Sequence, residues 1–169
     1  MDWKLLLTEA WKKISMFFYA IGFFSETILI VLSIFLLYTN TYSMVFYLIG
    51  VVGSFLTNQV LKQFIREKRP SSPIKFLNSE RFDNKTMVYG MPSGHSQNLF
   101  YSIFYLYLSI KDFYPWIFMI SSLIGILTIA ERWYFRNHTF KQLIVGAIIG
   151  SMFAVVTVYI RDKLSHKKK

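Results

Sequence analysis

The sequence predicts an all-α fold, a polytopic membrane helix bundle with about five transmembrane helices and an N-terminal amphipathic helix at the membrane interface. Of the 169 residues, 54% are hydrophobic and only 17% are charged, which is more apolar side chain than the core of one soluble domain requires. The apolar residues also form runs close to the length that crosses a bilayer, about 20 residues each. Cysteine is absent, so disulfides and thiolate metal ligands are excluded. We therefore expect residues 1–169 to form a single integral-membrane domain.

The first element, residues 1–20, combines an apolar helical face with lysines. Trp11, Ile14 and Phe18 recur near helical spacing, while Lys12 and Lys13 interrupt the apolar run. This pattern is typical of a helix that lies in the membrane interface. The lysines follow the first apolar group, unlike those of a secretory signal, so we expect the segment to be retained. A sixth crossing by this segment is the alternative.

Five apolar runs follow, and they predict the membrane spans. They cover residues 21–39, 42–65, 96–110, 113–131 and 140–160. The third run is the shortest. A long polar insertion at 66–91 predicts an extramembrane loop, and the basic tail at 161–169 should face the cytoplasm. Gly146 and Gly150 in the last span predict a close helix contact.

The net charge of +10 identifies the partner class. The basic residues flank apolar runs and do not form a soluble basic face, so we expect anionic membrane lipids as partners and no nucleic acid. With a cytoplasmic C-terminus and five alternating spans, three polar clusters fall on the opposite membrane face: residues 62–69, 92–95 and 132–138. Three clusters on one face indicate a shared site. The oligomeric state is not predicted.

The first two clusters have the chemistry of an anion site. Lys62 and Arg69 are seven residues apart, near one helical face, so their cations can clamp an anion. Ser93 precedes an apolar run as a helix N-cap would, and Gly94 lets the backbone approach a ligand closely. Free amides at a helix start bind anionic oxygen. Taken alone, each residue is better explained as a helix cap or as a membrane-interface anchor.

The third cluster adds a guanidinium and an imidazole. Arg132 and His138 are six residues apart in a short connection, where both could flank one phosphate group. His95, in the second cluster, is a second imidazole that could move a proton. Together the three clusters predict a phosphate site with two histidines.

The three clusters resemble the signature of the type 2 phosphatidic acid phosphatase family, which reads K-x6-RP, PSGH and SR-x5-H-x3-D. The matching residues are Lys62, Arg69 and Pro70; Pro92, Ser93, Gly94 and His95; and Arg132 and His138. Two positions of the third motif differ: Glu131 stands in place of serine, and Gln142 stands in place of aspartate. The motifs span residues 62–142, about half of the chain.

The resemblance implies a metal-independent lipid phosphatase without a cofactor. His138 would be the nucleophile that forms a phosphohistidine, and His95 would be the general acid. The phosphate would be bound by Lys62, Arg69, Ser93, Gly94 and Arg132. The implied substrates are lipid A 1-phosphate, undecaprenyl pyrophosphate and phosphatidylglycerophosphate, with the first two favoured by the basic loop. The implied location is the bacterial cytoplasmic (inner) membrane, with the site facing the periplasm or the exterior.

Gln142 bears on whether the site is active. At i, i+4 from His138, its side-chain oxygen could accept the imidazole N–H and orient the ring as aspartate does. A neutral amide cannot stabilise an imidazolium as a carboxylate would, so Glu131 or Glu26 is a candidate auxiliary carboxylate. The alternative function is a catalytically impaired family member that binds or moves anionic lipids.

Overall fold

The computed structural model describes residues 3–74, 89–110 and 115–166, and these residues form a helical bundle. The helices are α1 (Trp3–Leu37), α2 (Thr41–Ile65), α3 (Gly94–Ser109), α4 (Pro115–Tyr134) and α5 (Phe140–His166). Within the described residues, four helices are long and apolar enough to cross a membrane: Leu6–Leu37, Thr41–Ile65, Pro115–Tyr134 and Phe140–Ser165. The predicted helical membrane bundle is confirmed.

The N-terminal segment differs from its prediction in one respect. The structure does not separate an interfacial helix at 1–20 from the first span, because α1 runs without a break from Trp3 to Leu37. No proline interrupts this stretch, and the apolar residues from Met16 to Phe24 continue the helix through the expected boundary. At 1.5 Å per residue its 35 residues make a rod of about 52 Å, longer than a bilayer core of about 30 Å.

Two predicted segments lie partly outside the described residues. The loop at 66–91 is described only at 66–74 and 89–91, and the basic tail at 161–169 only as far as His166. The chain leaves α2 through Arg66, whose backbone is left-handed with φ 53° and whose N–H bonds the Lys62 carbonyl. The loop ends then meet, because the Gly90 N–H donates to the Glu67 carbonyl at 2.8 Å.

The short helix α3 is the centre of the bundle. It has 16 residues, in line with the short third run, and it packs against each of the other four helices, most extensively against α5. Its C-terminal end is tied to the ends of α2 and α5, because Arg161 donates to Ser109 Oγ at 2.6 Å and to Ser43 Oγ at 3.3 Å. We call this end the lower face.

The opposite end, the upper face, gathers the C-terminal ends of α2 and α4 and the N-terminal ends of α3 and α5. Backbone bonds join the connections there: Ser93 N–H donates to the Gln142 carbonyl at 3.1 Å, and Ile74 N–H donates to the Phe135 carbonyl at 3.0 Å. Successive helices therefore alternate in direction, and the three predicted polar clusters all lie at the upper face.

Two glycines let α5 approach α3 closely, as the sequence predicted. A Cβ added at Gly146 would lie 2.5 Å from the Ser93 carbonyl oxygen, and one at Gly150 would overlap the Gln97 carbonyl oxygen. Because both obstacles are backbone atoms, neither can move without shifting α3. The contact sets the distance between the helix that carries His95 and the helix that follows His138.

Substituting Gly150 by valine is therefore expected to destabilise the protein by about 2–3 kcal/mol, since overpacking at a close backbone contact forces the helices apart. The thermal unfolding midpoint of the detergent-solubilised protein measures the change. The matched control is Ile148→Ala, which alters a side chain that is 53% exposed on the same helix and should cost less than about 0.5 kcal/mol. A Gly150→Val protein as stable as wild type would contradict the packing.

Candidate active site

The structure brings the predicted site residues together at the upper face, each at or near a helix end. Lys62 and Arg69 flank the end of α2; Ser93, Gly94 and His95 begin α3; Arg132 lies near the end of α4; His138 and Gln142 bracket the start of α5. The charges of Lys62, Arg69 and Arg132 act on both histidine rings. The two imidazoles are also close enough to act electrostatically on each other.

The His138 ring is held by two oxygen atoms at one of its nitrogens. Nδ1 lies 3.1 Å from the Gly90 carbonyl oxygen and 3.1 Å from Gln142 Oε1. Both oxygens are acceptors, so this network assigns the ring proton to Nδ1. The other nitrogen, Nε2, then keeps its lone pair. The ring is only 3% exposed, so this geometry is enclosed by protein.

Burial also determines the charge of His138. Desolvation, and after it the positive charges of Arg69 and Lys62, lowers the pKa of this imidazole to about 3, and the hydrogen bond to Gln142 opposes the shift. Since a histidine with a lowered pKa loses its proton at a lower pH, the ring is neutral at neutral pH. A neutral ring with a free Nε2 lone pair is the nucleophilic form of imidazole.

Gln142 has a fixed amide orientation. Its Oε1 accepts from the Thr139 N–H at 3.2 Å as well as from His138, and its Nε2 donates to Glu67 Oε1 at 3.0 Å and to the Lys68 carbonyl at 2.9 Å. The side chain is fully buried. A Cβ at Gly90 would overlap Gln142 Oε1, so only glycine allows this contact. Gln142 thus lies where the sequence placed it, with its oxygen toward His138.

His95 faces a carboxylate. Its Nδ1 lies 3.7 Å from Glu26 Oε2, and the other oxygen of Glu26 accepts a hydrogen bond from Asn98 Nδ2 at 2.8 Å. The His95 side chain is 36% exposed, far more than His138. With Nδ1 directed at the carboxylate, Nε2 is the nitrogen available to a substrate. Desolvation, and after it the positive charge of Arg132, lowers the pKa of the His95 imidazole. The Glu26 carboxylate opposes this shift, because a carboxylate beside imidazole favours the protonated ring, which is the form that can donate a proton.

The start of α3 supplies groups that can bind an anion beside the two histidines. Ser93 is the N-cap, with its side-chain oxygen 3.5 Å from the Ser96 N–H. A Cβ on Gly94 would lie 3.3 Å from Asn58 Oδ1 and 3.9 Å from Lys62 Nζ, so the Lys62 ammonium is next to the first turn. Exposed amides at a helix N-terminus and an adjacent ammonium favour an anion at the same point.

Arg132 shapes the connection that carries His138. Its carbonyl accepts from the Asn137 N–H at 3.0 Å and from the His138 N–H at 3.2 Å. Its guanidinium is 3% exposed and lies 5.7 Å from the centre of the Phe23 ring on α1. Arg132 therefore fixes the backbone of the nucleophile candidate as well as supplying a cation.

The two candidate auxiliary carboxylates, Glu131 and Glu26, each contact another residue of the site. Glu131 Oε2 is 3.1 Å from the Nε of Arg132, and a Cβ on Gly22 would overlap this carboxylate. Glu131 therefore contacts both the guanidinium of Arg132 and α1. Glu26 lies beside His95, as described above. That one of these two carboxylates assists His138 stays a prediction.

Sequence reasoning missed a third carboxylate, which contacts Gln142, the partner of His138. Glu67 follows the end of α2, inside the K-x6-RP motif but at one of its unspecified positions. Its Oε1 accepts from Gln142 Nε2 at 3.0 Å, and its Oε2 lies 3.3 Å from Lys141 Nζ. Only the folding of residues 66–74 against α5 creates this contact, so the sequence carried no signal for it.

A family model and two curated proteins match this chain. The family model described as PAP2 superfamily matches residues 43–165. Lipid phosphate phosphatase epsilon 1, chloroplastic, of Arabidopsis thaliana is 26% identical over 114 residues, 64% of this chain and 37% of that protein. Dolichyldiphosphatase of Saccharomyces cerevisiae is 30% identical over 127 residues, 67% of this chain and 51% of that protein. The chain spans only about a third to a half of these relatives' length.

A solved structure shares the fold. It is described as the crystal structure of the first transmembrane PAP2 type phosphatidylglycerolphosphate phosphatase from Bacillus subtilis. The likeness has a TM-score of 0.67 at 19% sequence identity, and it covers 89% of this chain and 77% of that one. At this identity, the similarity establishes the shared architecture.

Proposed function

Because this chain belongs to the PAP2 superfamily, as its three motifs predicted, we propose that it is a membrane phosphatase that hydrolyses the phosphomonoester or pyrophosphate group of a lipid. The observation that carries the proposal is the state of the His138 ring. Its Nδ1–H is held by two oxygen acceptors, so Nε2 keeps its lone pair. A neutral imidazole surrounded by cations is suited to attack phosphorus. The proposal requires no metal and no cofactor.

In the first step, Nε2 of His138 attacks phosphorus, and the bond from phosphorus to the leaving oxygen breaks. His95, protonated at Nε2, gives that proton to the leaving oxygen as its negative charge develops. The cations of Lys62, Arg69 and Arg132, with the amides at the start of α3, hold the remaining phosphate oxygens. Phosphoryl transfer depends mostly on such positioning and charge stabilisation. The product is a phosphohistidine and a free lipid alcohol or lipid monophosphate.

In the second step, water replaces His138. His95, now neutral, removes a proton from the water as the water oxygen attacks the phosphohistidine. The phosphorus–nitrogen bond breaks, its electron pair returns to Nε2 of His138, and inorganic phosphate leaves. His95 is again protonated, so the cycle closes. Glu26 supports this cycle by favouring the protonated form of His95 among the surrounding cations.

The proposed substrate class is a phosphate attached to a long apolar chain. Large apolar side chains such as Phe64, Trp133 and Tyr134 are exposed near the upper face, where a lipid tail could remain in the bilayer while its head enters the site. Undecaprenyl pyrophosphate, lipid A 1-phosphate and phosphatidylglycerophosphate all fit this description. We favour a polyprenyl diphosphate, because the relative named dolichyldiphosphatase is 30% identical.

The proposed location is the bacterial cytoplasmic membrane, with residues 1–169 acting as one domain. The basic end of α5, with Arg161 and Lys163, lies at the lower face, and basic ends of membrane helices tend to stay in the cytoplasm. The upper face, with the two histidines, would then face the periplasm or the exterior.

Phosphate release from purified protein tests the proposal. In detergent micelles, we expect release from at least one of undecaprenyl pyrophosphate, lipid A 1-phosphate and phosphatidylglycerophosphate, and at least about tenfold less from glucose 6-phosphate, because the soluble sugar has no tail to hold it at the site. A preference for glucose 6-phosphate would contradict the lipid substrate. Lipid binding without release from any of the three would favour the alternative, a protein that binds or moves anionic lipids.

A further inference from the structure

We infer that Glu67 is a positioning residue for His138 and that it acts through the side-chain amide of Gln142. The inference deepens the proposed function and rests on it. In the family motif an aspartate lies beside the nucleophile. Here Gln142 occupies that position, and the carboxylate of Glu67 lies on the far side of Gln142 from His138. The intervening amide connects that carboxylate to the imidazole.

The connection is continuous from the carboxylate to the ring. Gln142 Nε2 donates to Glu67 Oε1 at 3.0 Å, and Gln142 Oε1 accepts from His138 Nδ1 at 3.1 Å. The amide therefore presents its donor to the carboxylate and its acceptor to the ring proton. The NH₂ group of the amide thus faces acceptors, and its oxygen faces donors.

The opposite amide orientation is excluded by four contacts. If the amide were rotated by a half turn, its NH₂ group would meet the N–H groups of His138 and Thr139. Its oxygen would meet the Glu67 carboxylate and the Lys68 carbonyl. All four encounters would set like groups against each other, and burial makes such encounters costly. Gln142 is thus fixed in the orientation that transmits the charge.

Glu67 acts on the positive charge that develops on the His138 ring as it attacks phosphorus. As Nε2 of His138 bonds to phosphorus, the ring becomes positive, and the Gln142 oxygen at Nδ1 is more negative when its amide donates to a carboxylate. The Glu67 carboxylate, two hydrogen bonds from the ring, therefore stabilises the imidazolium, as the directly bonded carboxylate does in a triad. Gln142 thus transmits the electrostatic effect of the Glu67 carboxylate to the His138 ring. The site therefore remains competent without aspartate at position 142.

A merely structural role for Glu67 is the competing explanation. Glu67 Oε2 lies 3.3 Å from Lys141 Nζ, and Lys141 is 71% exposed. This ion pair could anchor residues 66–74 to α5. Exposed ion pairs contribute little to stability, so the anchoring role predicts only small effects from changes at either residue.

The first experiment replaces Glu67 by glutamine, which keeps an oxygen acceptor for Gln142 and removes the charge. With undecaprenyl pyrophosphate in detergent micelles, we expect kcat to fall about tenfold while KM stays within about twofold, because the charge acts on the transition state and not on bound lipid. The matched control is Lys141→Gln, which removes the ion pair but leaves the amide connection, and its kcat should stay within about twofold of wild type.

The second experiment repeats the Glu67→Gln change in a Gln142→Glu background. There a carboxylate at position 142 accepts the His138 N–H directly and lies against the Glu67 carboxylate. Replacing Glu67 by glutamine now removes a repulsion and supplies an amide donor, so we expect kcat to rise at least about threefold. The sign of the Glu67→Gln effect thus reverses between the two backgrounds.

The outcomes are distinct. A fall in kcat in both backgrounds, or an equal fall for Lys141→Gln, would show that Glu67 is only an anchor and would overturn the inference while leaving the phosphatase proposal intact. An unchanged kcat in Glu67→Gln would do the same. A wild-type protein that releases no phosphate from any lipid of the panel would remove the proposed function and this inference together.

Discussion

Replacing His138 by alanine is expected to lower phosphate release by about 10⁴-fold or more, because loss of a nucleophile removes the covalent route entirely. The site would keep its cations and the amides at the start of α3, so lipid binding should persist. Initial rates of phosphate release from undecaprenyl pyrophosphate measure the first effect, and retention of the radiolabelled lipid by the immobilised, detergent-solubilised protein measures the second.

The control for this variant is His166→Ala. His166 is the last residue of α5, at the lower face, a full helix length from His138, so its loss should leave the rate within about twofold of wild type. Acid-labile phosphate on the protein, trapped during turnover, should be found in wild type and in His166→Ala and be absent from His138→Ala. Residual release above about a tenth of wild type in His138→Ala would refute the nucleophile assignment.

The helices could be predicted because their lengths and periodicity are local properties. The apolar runs at 42–65 and 140–160 correspond to α2 and α5 with boundaries shifted by a few residues. The short third run became the central helix α3, which the sequence could not indicate, since centrality depends on packing against all the other helices. The continuity of α1 was also missed, because lysines in an apolar segment suggested a boundary where the backbone has no reason to break.

The sequence predicted which motif residues form the site, but it did not predict the partners of the carboxylates. Lys62, His95 and His138 belong to fixed spacings, and the structure brings them to one face. The partners of Glu26, Glu67 and Glu131 depend on contacts between distant segments. Glu26 reaches α3 only because α1 packs beside it, and Glu67 meets Gln142 across 75 residues of chain. Contacts between segments so far apart produce no fixed spacing that could be recognised in a single sequence.

Replacing His95 by alanine is expected to lower the rate of phosphate release from a lipid substrate by about 10³-fold, since general acid–base catalysis typically contributes about 10²–10⁴ in rate. The loss should depend on the leaving group. A lipid alkoxide needs a proton as it departs, whereas the nitrophenolate of p-nitrophenyl phosphate does not. The first step with the nitrophenyl ester should therefore be slowed much less than the first step with a lipid phosphomonoester such as phosphatidylglycerophosphate.

The second step separates His95 from a residue that only binds phosphate. Without His95 no imidazole removes the proton from water, so phosphohistidine should accumulate in His95→Ala after a burst of nitrophenol close to one equivalent of enzyme. Arg132→Met, which removes a phosphate-binding cation and keeps both histidines, should slow both steps and give no burst. Equal losses for both leaving groups, together with a linear time course from the start, would mean that His95 binds the phosphate and transfers no proton.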